Sequence, residues 1–285
     1  MHIRFRRVFL GLVLVASVGK AQTTFEPFEE RPPVTTNGQV VAWNAAIGGV
    51  TSAIRAALAG HSIQKSFLVG VAGGAVHGWG KVLGTRSAFP AAIGGLMVSS
   101  LGTSVVVNAG RDSSPLSEVF VPVGIARVRI APRAVKPVRL SLDIRATAAL
   151  AHALGRGGLV LDWSHTARTG TPVFRTQLRR IVVDGDAVQG VAISTVVLVS
   201  DFAEDYAATL RHEMVHVQQY LFVQEAIGKP LEDYLRARLD RKGRVPRWLD
   251  FGLGAFVVYG TDELIGRRDG PYRRYIESEA EALKR

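Results

Sequence analysis

Residues 208–220 read ATLRHEMVHVQQY. Two of the chain's seven histidines, His212 and His216, stand four residues apart here, and Glu213 follows the first directly. On a helix, positions i and i+4 lie one turn apart on one face, so two imidazoles at this spacing can reach a single metal ion. Neutral imidazole nitrogen suits zinc at about 2.0–2.1 Å. A carboxylate beside the first histidine is placed to take a proton from water that the metal activates. The H-E-x-x-H spacing therefore predicts a Zn2+ site with His212 and His216 as ligands and Glu213 as general base.

The surrounding residues predict a helix from about Ala203 to Ile227. At about 100° per residue, Leu210, Met214, Val217 and Leu221 share one narrow stripe, the expected buried face. His212 and His216 fall on the other side, near Gln219 and Val223, and Glu213 falls between the two faces. The histidines are thus expected to point together away from the strongest apolar stripe.

HEMVH resembles the active-site helix of the zincin metallopeptidases, and the resemblance covers that helix. The metzincin branch is excluded, because it needs Gly and His where this chain has Gln219 and Phe222. The gluzincin branch takes its third ligand from a glutamate on a later helix, and ESEAE, residues 277–281, offers one. The resemblance implies that Glu277 is the third metal ligand. It implies that Glu281, four residues on and on the same face, orients a ligating histidine. Glu279 points to another side and stands in reserve. Two other carboxylates remain open as the third ligand. Asp262 lies in YGTDELIG, which resembles, one residue out of step, the G-T-x-D pattern of aspartate-ligand zincins; Asp250 lies in WLDFG.

The resemblance also implies a sheet beside the helix, whose edge strand pairs with an extended peptide substrate. GVAISTVVLVS, residues 190–200, is the nearest apolar strand upstream and suits either an edge or a central position. An oxyanion-stabilising donor is implied as well, with Tyr259, Tyr272 and Tyr275 as candidates. His61, His77, His152 and His165 lack ligand spacing and read as hydrogen-bonded structural residues. No G-x-S-x-G occurs, so a serine triad has no support.

The elements that must position this helix divide at about residue 115. Beyond it, VFVPVGIARVRIA (119–131) and PVRLSLDI (137–144) alternate with period two and predict strands. ATAALAHALG (146–155) predicts a short helix, and GLVLDWSH (158–165), PVFRTQL (172–178) and residues 179–200 predict further strands, with Asp184-Gly185 as a hairpin turn. A basic helix around 233–241, the apolar stretch WLDFGLGAFVVYG and a polar C-terminal helix, YRRYIESEAEALKR, complete this half. Before residue 115 the chain is dense in Gly, Ala, Ser and Val, and residues 87–110 carry no charge. Small residues let helices pack closely, as in membranes. Yet Pro90, Asn108 and the many serines argue against a span, and Arg55, Lys65, Lys81 and Arg86 cut the rest into stretches shorter than the ~20 residues a spanning helix needs. The expectation is packed helices that touch a membrane rather than cross it. No G-x-x-x-x-G-K-[ST] phosphate loop occurs.

The first 21 residues place Arg4, Arg6 and Arg7 before an apolar core, Val8 to Val18, and end in small residues, which reads as a secretory signal peptide. Residues 22–39, polar with three prolines, read as a linker. The chain has 285 residues, 47% hydrophobic and 21% charged, a globular composition. It has no cysteine, which excludes disulfides, thiolate metal sites and cysteine nucleophiles. The formal net charge is +11, and +7 without residues 1–21, which hold four basic and no acidic side chains. In an exported protein such a surface suits an anionic membrane or plain solvent, not nucleic acid.

The expected fold is α+β: a zincin-like domain (116–285) of mixed sheet plus active-site helix, preceded by a Gly/Ala-rich helical, membrane-associated region (40–115). The expected function is an exported zinc metallopeptidase acting on a peptide or protein substrate. Two alternatives remain: a non-enzymatic membrane-associated scaffold, which would not need Glu213, and a zinc hydrolase of a non-peptide bond.

Overall fold

The computed structural model describes residues 36–86, 91–155, 158–179, 181–183, 186–239, 246, 248–254 and 271–284. The signal segment, nearly all of the linker, the Asp184-Gly185 turn, Tyr259 and Asp262 lie outside the described residues. The fold is α+β with two small mixed sheets.

Three long helices come first: α1 (Asn37–Ala59), α2 (Ile63–Gly84) and α3 (Ala91–Ala109). The first begins inside the stretch read as linker. The Thr36 side chain accepts from Gln39 N and the Gln39 side chain accepts from Thr36 N, a reciprocal cap that starts the helix at Asn37. Helix α2 lies between the other two and meets both through glycine. A Cβ on Gly74 would come within 2.1 Å of the Asn44 carbonyl oxygen of α1, and one on Gly95 of α3 within 2.2 Å of Gly84 N. Backbones this close require residues without side chains. Helix α3 alone among the described residues is long and apolar enough to cross a membrane, but just over half of that stretch is buried within the protein.

The first sheet runs β1-β2-β3-β10, with β1 (Val119–Val123), β2 (Ala126–Ile130) and β3 (Val138–Asp143) antiparallel and β10 (Leu249–Asp250) parallel to β3. The second runs β4-β5-β9-β8, from β4 (Leu159–Leu161), β5 (Val173–Thr176), β8 (Gly190–Ile193) and β9 (Val196–Ser200). There β5 and β9 are parallel and the other pairs antiparallel. Strands β6 (Ile181–Val183) and β7 (Asp186–Val188) form a separate ribbon. Helix α4 (Ile144–Gly155) follows β3 and packs Ala146 and Ala153 on Phe174 and Val196.

Two stretches depart from the sequence reading. GLVLDWSH is a strand only to Leu161; the Asp162 side chain accepts from His165 N and caps helix α5 (Trp163–Thr169). GVAISTVVLVS is not one strand but the hairpin β8–β9, turned at Ser194 and Thr195. Ser194 holds φ at 60° without being glycine, and its hydroxyl donates to Asp143 Oδ2, which fixes that backbone.

Helix α6 (Tyr206–Val223) is the predicted active-site helix, capped by Asp205, whose side chain accepts from Ala208 N. It continues through a π-helical turn (Gln224–Gly228) into α7 (Lys229–Leu239). The wide turn places Gln224 and Glu225 in a buried polar cluster. Arg127 donates to Glu225, Asp250 and Asp143, and Gln224 donates to Asp250. Last comes α8 (Pro271–Lys284), packed on α6.

The core is built around α6. Leu210, Met214, Val217 and Leu221, the predicted stripe, pack on Val173, Val197 and Val199 of the second sheet and on Leu96 of α3. The opposite side is buried too. Val215 packs with Val40 of α1, Val82 of α2, and Ala280 and Leu283 of α8. Phe222 and Val223 pack with Val106 and Val107 of α3. The Gly-rich helices and the sheet thus meet on the same helix.

Candidate metal centre

His212 and His216 project from α6 toward α8, where Glu277 and Glu281 meet them. The ring Nε2 atoms of the two histidines lie 3.0 Å apart, and Glu277 Oε2 lies 3.5 Å from each. These three donors form a cluster suited to a metal ion. Four-coordinate zinc with bonds of about 2.0–2.1 Å separates its ligand atoms by about 3.3 Å, so the observed triangle is close to that demand. Donor types agree as well: two imidazole nitrogens and one carboxylate are ordinary zinc ligands. The residues present fit the ion that the motif implies.

Helix geometry explains why this triangle forms. Ala280 and Leu283 seat α8 in the cluster with Val215, which turns Glu277 and Glu281 to the histidine edge of α6. Glu281 Oε1 approaches His212 Nδ1 to 3.4 Å, an electrostatic contact rather than an aligned hydrogen bond. This places Glu281 where the second partner was expected. Burial opposes ionisation of Glu277, but hydrogen bonds from His212 and His216 outweigh it and hold the carboxyl well below the usual range. For His216, burial disfavours the charged ring, while the hydrogen bond to Glu277 and the charges of Glu213 and Glu277 prevail and raise its pKa. The rings are nearly enclosed, whereas half of the Glu277 side chain is exposed, so the cluster opens on the α8 side.

Glu213 is buried on the flank of α6 against strand β8. It accepts from the backbone N–H of Ala192, and Gly190 leaves it room: a Cβ there would sit 2.9 Å from Glu213 Oε1. Burial raises its pKa, more than the neighbouring histidines lower it. The pair and the glutamate thus occupy adjacent faces, as the helical wheel places them.

The reserve ligands go elsewhere. Asp250 is fully buried, accepts from Arg127 and Gln224, and belongs to the polar cluster under β3 and β10. Glu279, two residues from Glu277, faces the opposite side and accepts from Lys81 Nζ (2.8 Å), Asn44 Nδ2 and Gln219 Nε2 (2.6 Å). Both carboxylates are held by these partners and stand outside the His212–His216–Glu277 group. The side chains of Tyr272 and Tyr275 lie outside the described residues. His77 is a buried structural residue, its Nδ1 bonded among Ser99 and Thr103. His165 bonds Asp162 within α5, while His61 and His152 are exposed.

Sequence reasoning missed Gln219 as a partner of the site. Its Oε1 lies 2.8 Å from His216 Nδ1 and accepts that proton. The signal was present in the spacing, since positions 216 and 219 are neighbours on a helix, but an amide carries no metal signature. Lys81 and Asn44 could not have been found this way, because only tertiary packing brings α1 and α2 to α8. No protein-family model matches this chain, and neither a curated protein nor a solved structure matches it.

Proposed function

We propose that the chain is an exported, zinc-dependent metallopeptidase of zincin-like fold and gluzincin type. The observation that carries this reading is the triangle of His212 Nε2, His216 Nε2 and Glu277 Oε2, drawn from two helices far apart in sequence and spaced as zinc ligands are. The reading is supported by an H-E-x-x-H pair, a carboxylate facing both rings and a second carboxylate behind the first ring occurring together.

A zinc ion held there supplies Lewis acidity, polarising a carbonyl and acidifying water. The protein's own groups do the rest. Glu213 stands beside the ligand pair without joining it, so it would serve as base, taking a proton from the attacking water and passing it to the departing amine. Its burial, with a pKa above the ordinary carboxylate value, makes it a stronger proton acceptor once ionised. Strand β8 lies at the edge of its sheet beside Glu213, and an extended peptide that added to it would have to displace Glu213 from the Ala192 N–H.

The outward side of the Gly-rich helices supports membrane association. Leu68 and Trp79 of α2 and Trp43 of α1 are about half exposed or more.

The test is zinc content and peptide cleavage, read side by side. The full chain should bind about one zinc and cleave peptides from a mixed library. Glu213→Gln should keep the zinc and lose cleavage by a factor of at least ~100, the low end for loss of a positioned base. Zinc binding without cleavage of any peptide would move the assignment to the scaffold or to a non-peptide hydrolase. Loss of zinc from Glu213→Gln would make that residue a ligand and not a base.

A further inference from the structure

Behind His216 a line of buried polar groups runs through the protein into the Gly-rich helices. His216 Nδ1 meets Gln219 Oε1 at 2.8 Å, and Gln219 Nε2 meets Glu279 Oε2 at 2.6 Å. Glu279 Oε2 meets Lys81 Nζ at 2.8 Å, and Lys81 also donates to Asn44 Oδ1 at 3.0 Å, while Asn44 Nδ2 donates to Glu279 Oε1. Glu279 is fully buried, and Lys81, Asn44 and Gln219 nearly so. An ion pair so deep stabilises little by itself, because desolvation offsets its attraction. A structural role alone would be filled as well by apolar side chains.

The chain has a direction. An ammonium group only donates, and a carboxylate only accepts. Lys81 pairs with Glu279 as a carboxylate, so the Gln219 amide must turn its NH2 to Glu279 and its oxygen to His216. That oxygen can only accept, so His216 must carry its ring proton on Nδ1. In the neutral ring that binds a metal, the lone pair of His216 is then on Nε2, the atom that faces His212 and Glu277. Among the bonds named, a reversed Gln219 amide would set its NH2 against the ring N–H and its oxygen against the Glu279 carboxylate.

We infer that Lys81, Asn44, Glu279 and Gln219 are positioning residues, which fix the His216 tautomer that offers Nε2 to the metal. The inference rests on the metal site proposed above, and it makes the Gly-rich helices part of that site. Two of the four groups come from α1 and α2, and a metal centre on α6 and α8 would otherwise not need them.

The experiment uses the full chain and two variants, Gln219→Met and the double substitution Lys81→Met with Glu279→Met. The double change removes both charges together, so neither is left buried alone. Zinc affinity is measured by competition with a chromogenic chelator, and folding by near-ultraviolet circular dichroism. Ring N–H signals are recorded by proton NMR on the cobalt(II)-loaded protein in H2O and D2O. In the wild type, the His216 ring N–H should exchange slowly, because it is buried and bonded. In both variants zinc affinity should fall by about 10–100-fold, the usual cost of losing an outer partner of a ligating histidine, and that N–H should exchange rapidly. Folded variants that bind zinc as tightly as the wild type and keep the slow N–H would overturn the inference. If a variant does not fold, the wild-type spectrum decides alone: a slowly exchanging His216 N–H supports the inference, and a rapidly exchanging or absent one overturns it. Failure of peptide cleavage in a zinc-binding wild type would defeat the peptidase reading and leave the positioning chain standing. Unchanged affinity in folded variants would do the reverse.

Discussion

Three glutamates within five residues of α8 have three different fates. Glu277 faces both histidine rings, Glu281 faces the back of one ring, and Glu279 faces a lysine in another helix. A carboxylate ligand and a carboxylate partner should respond differently to neutralisation. Glu281→Gln should weaken zinc by about 10–100-fold, and Glu277→Gln by more, as measured by chelator competition. The reverse order would exchange the two roles. Glu213 allows a stability test without metal. Burial raises its pKa in the folded state above the roughly 4.3 of an unfolded glutamate. Its contribution is therefore fully present below that unfolded value and is lost as pH rises through the folded value. In the zinc-free protein at neutral pH, Glu213→Gln should raise the melting temperature, and the difference should shrink as pH falls toward 4. A lower melting temperature for Glu213→Gln at pH 7 would mean that the ionised group is stabilising. The placing of His212, His216 and Glu213 on neighbouring faces was legible from spacing alone, because a helix converts i, i+1 and i+4 into fixed angles.

Among the elements, helix α6 was read correctly in kind and buried stripe, while its continuation was not. The π-helical turn at Gln224–Gly228 joins α6 to α7, and nothing local in QEAIG announces it. It is held by tertiary bonds from Gln224 and Glu225 to Asp250, Arg127 and Arg129. The β8–β9 turn escaped for the same reason, since ST is not a turn dipeptide and Ser194 is fixed by Asp143, distant in sequence. Glycine in the first three helices was legible as close packing, and the contacts now rank the positions. Gly74→Ala drives a methyl into the backbone of Asn44, whereas the space around Gly94 is open. Thermal unfolding should show Gly74→Ala destabilised by about 1–3 kcal/mol. Gly94→Ala should be neutral or stabilised by up to ~1 kcal/mol. Equal effects at the two sites would refute the packing.

At the scale of the whole molecule, α6 is enclosed by the second sheet on one side and by the Gly-rich helices and α8 on the other. The outer surface of α1 and α2 exposes Trp43, Phe67, Leu68 and Trp79, and the proposed membrane association rests on it. Its exposed residues are interrupted by Lys65 and His61 at the α1–α2 turn, and α3 is more than half buried, so attachment without spanning is expected. Membrane fractions should retain the protein in low salt and release it to carbonate. Trp43→Ser with Trp79→Ser should reduce the bound fraction, a loss of apolar contact that salt does not mimic. Retention through carbonate would show integral attachment instead.

The sequence by itself determined the chemistry on offer: a histidine pair with a base on one helix, two acidic residues one turn apart on another, no thiol, and a Gly-rich half made for close helix contact. Each of these depends on local periodicity, which neighbouring residues set without help. Tertiary structure alone decided which carboxylate faces the rings. Asp250 and Glu279 are as acidic as Glu277 on paper, but Arg127 and Lys81, far away in sequence, claim them. It also decided that Asn44 of α1 and Lys81 of α2 meet Glu279, which bonds the Gln219 beside His216, because a buried amide or lysine has no signature until its partner is placed. Ion pairs and hydrogen bonds act over a few ångströms of space, and the chain brings residues 44, 81, 219 and 279 within that range only by folding.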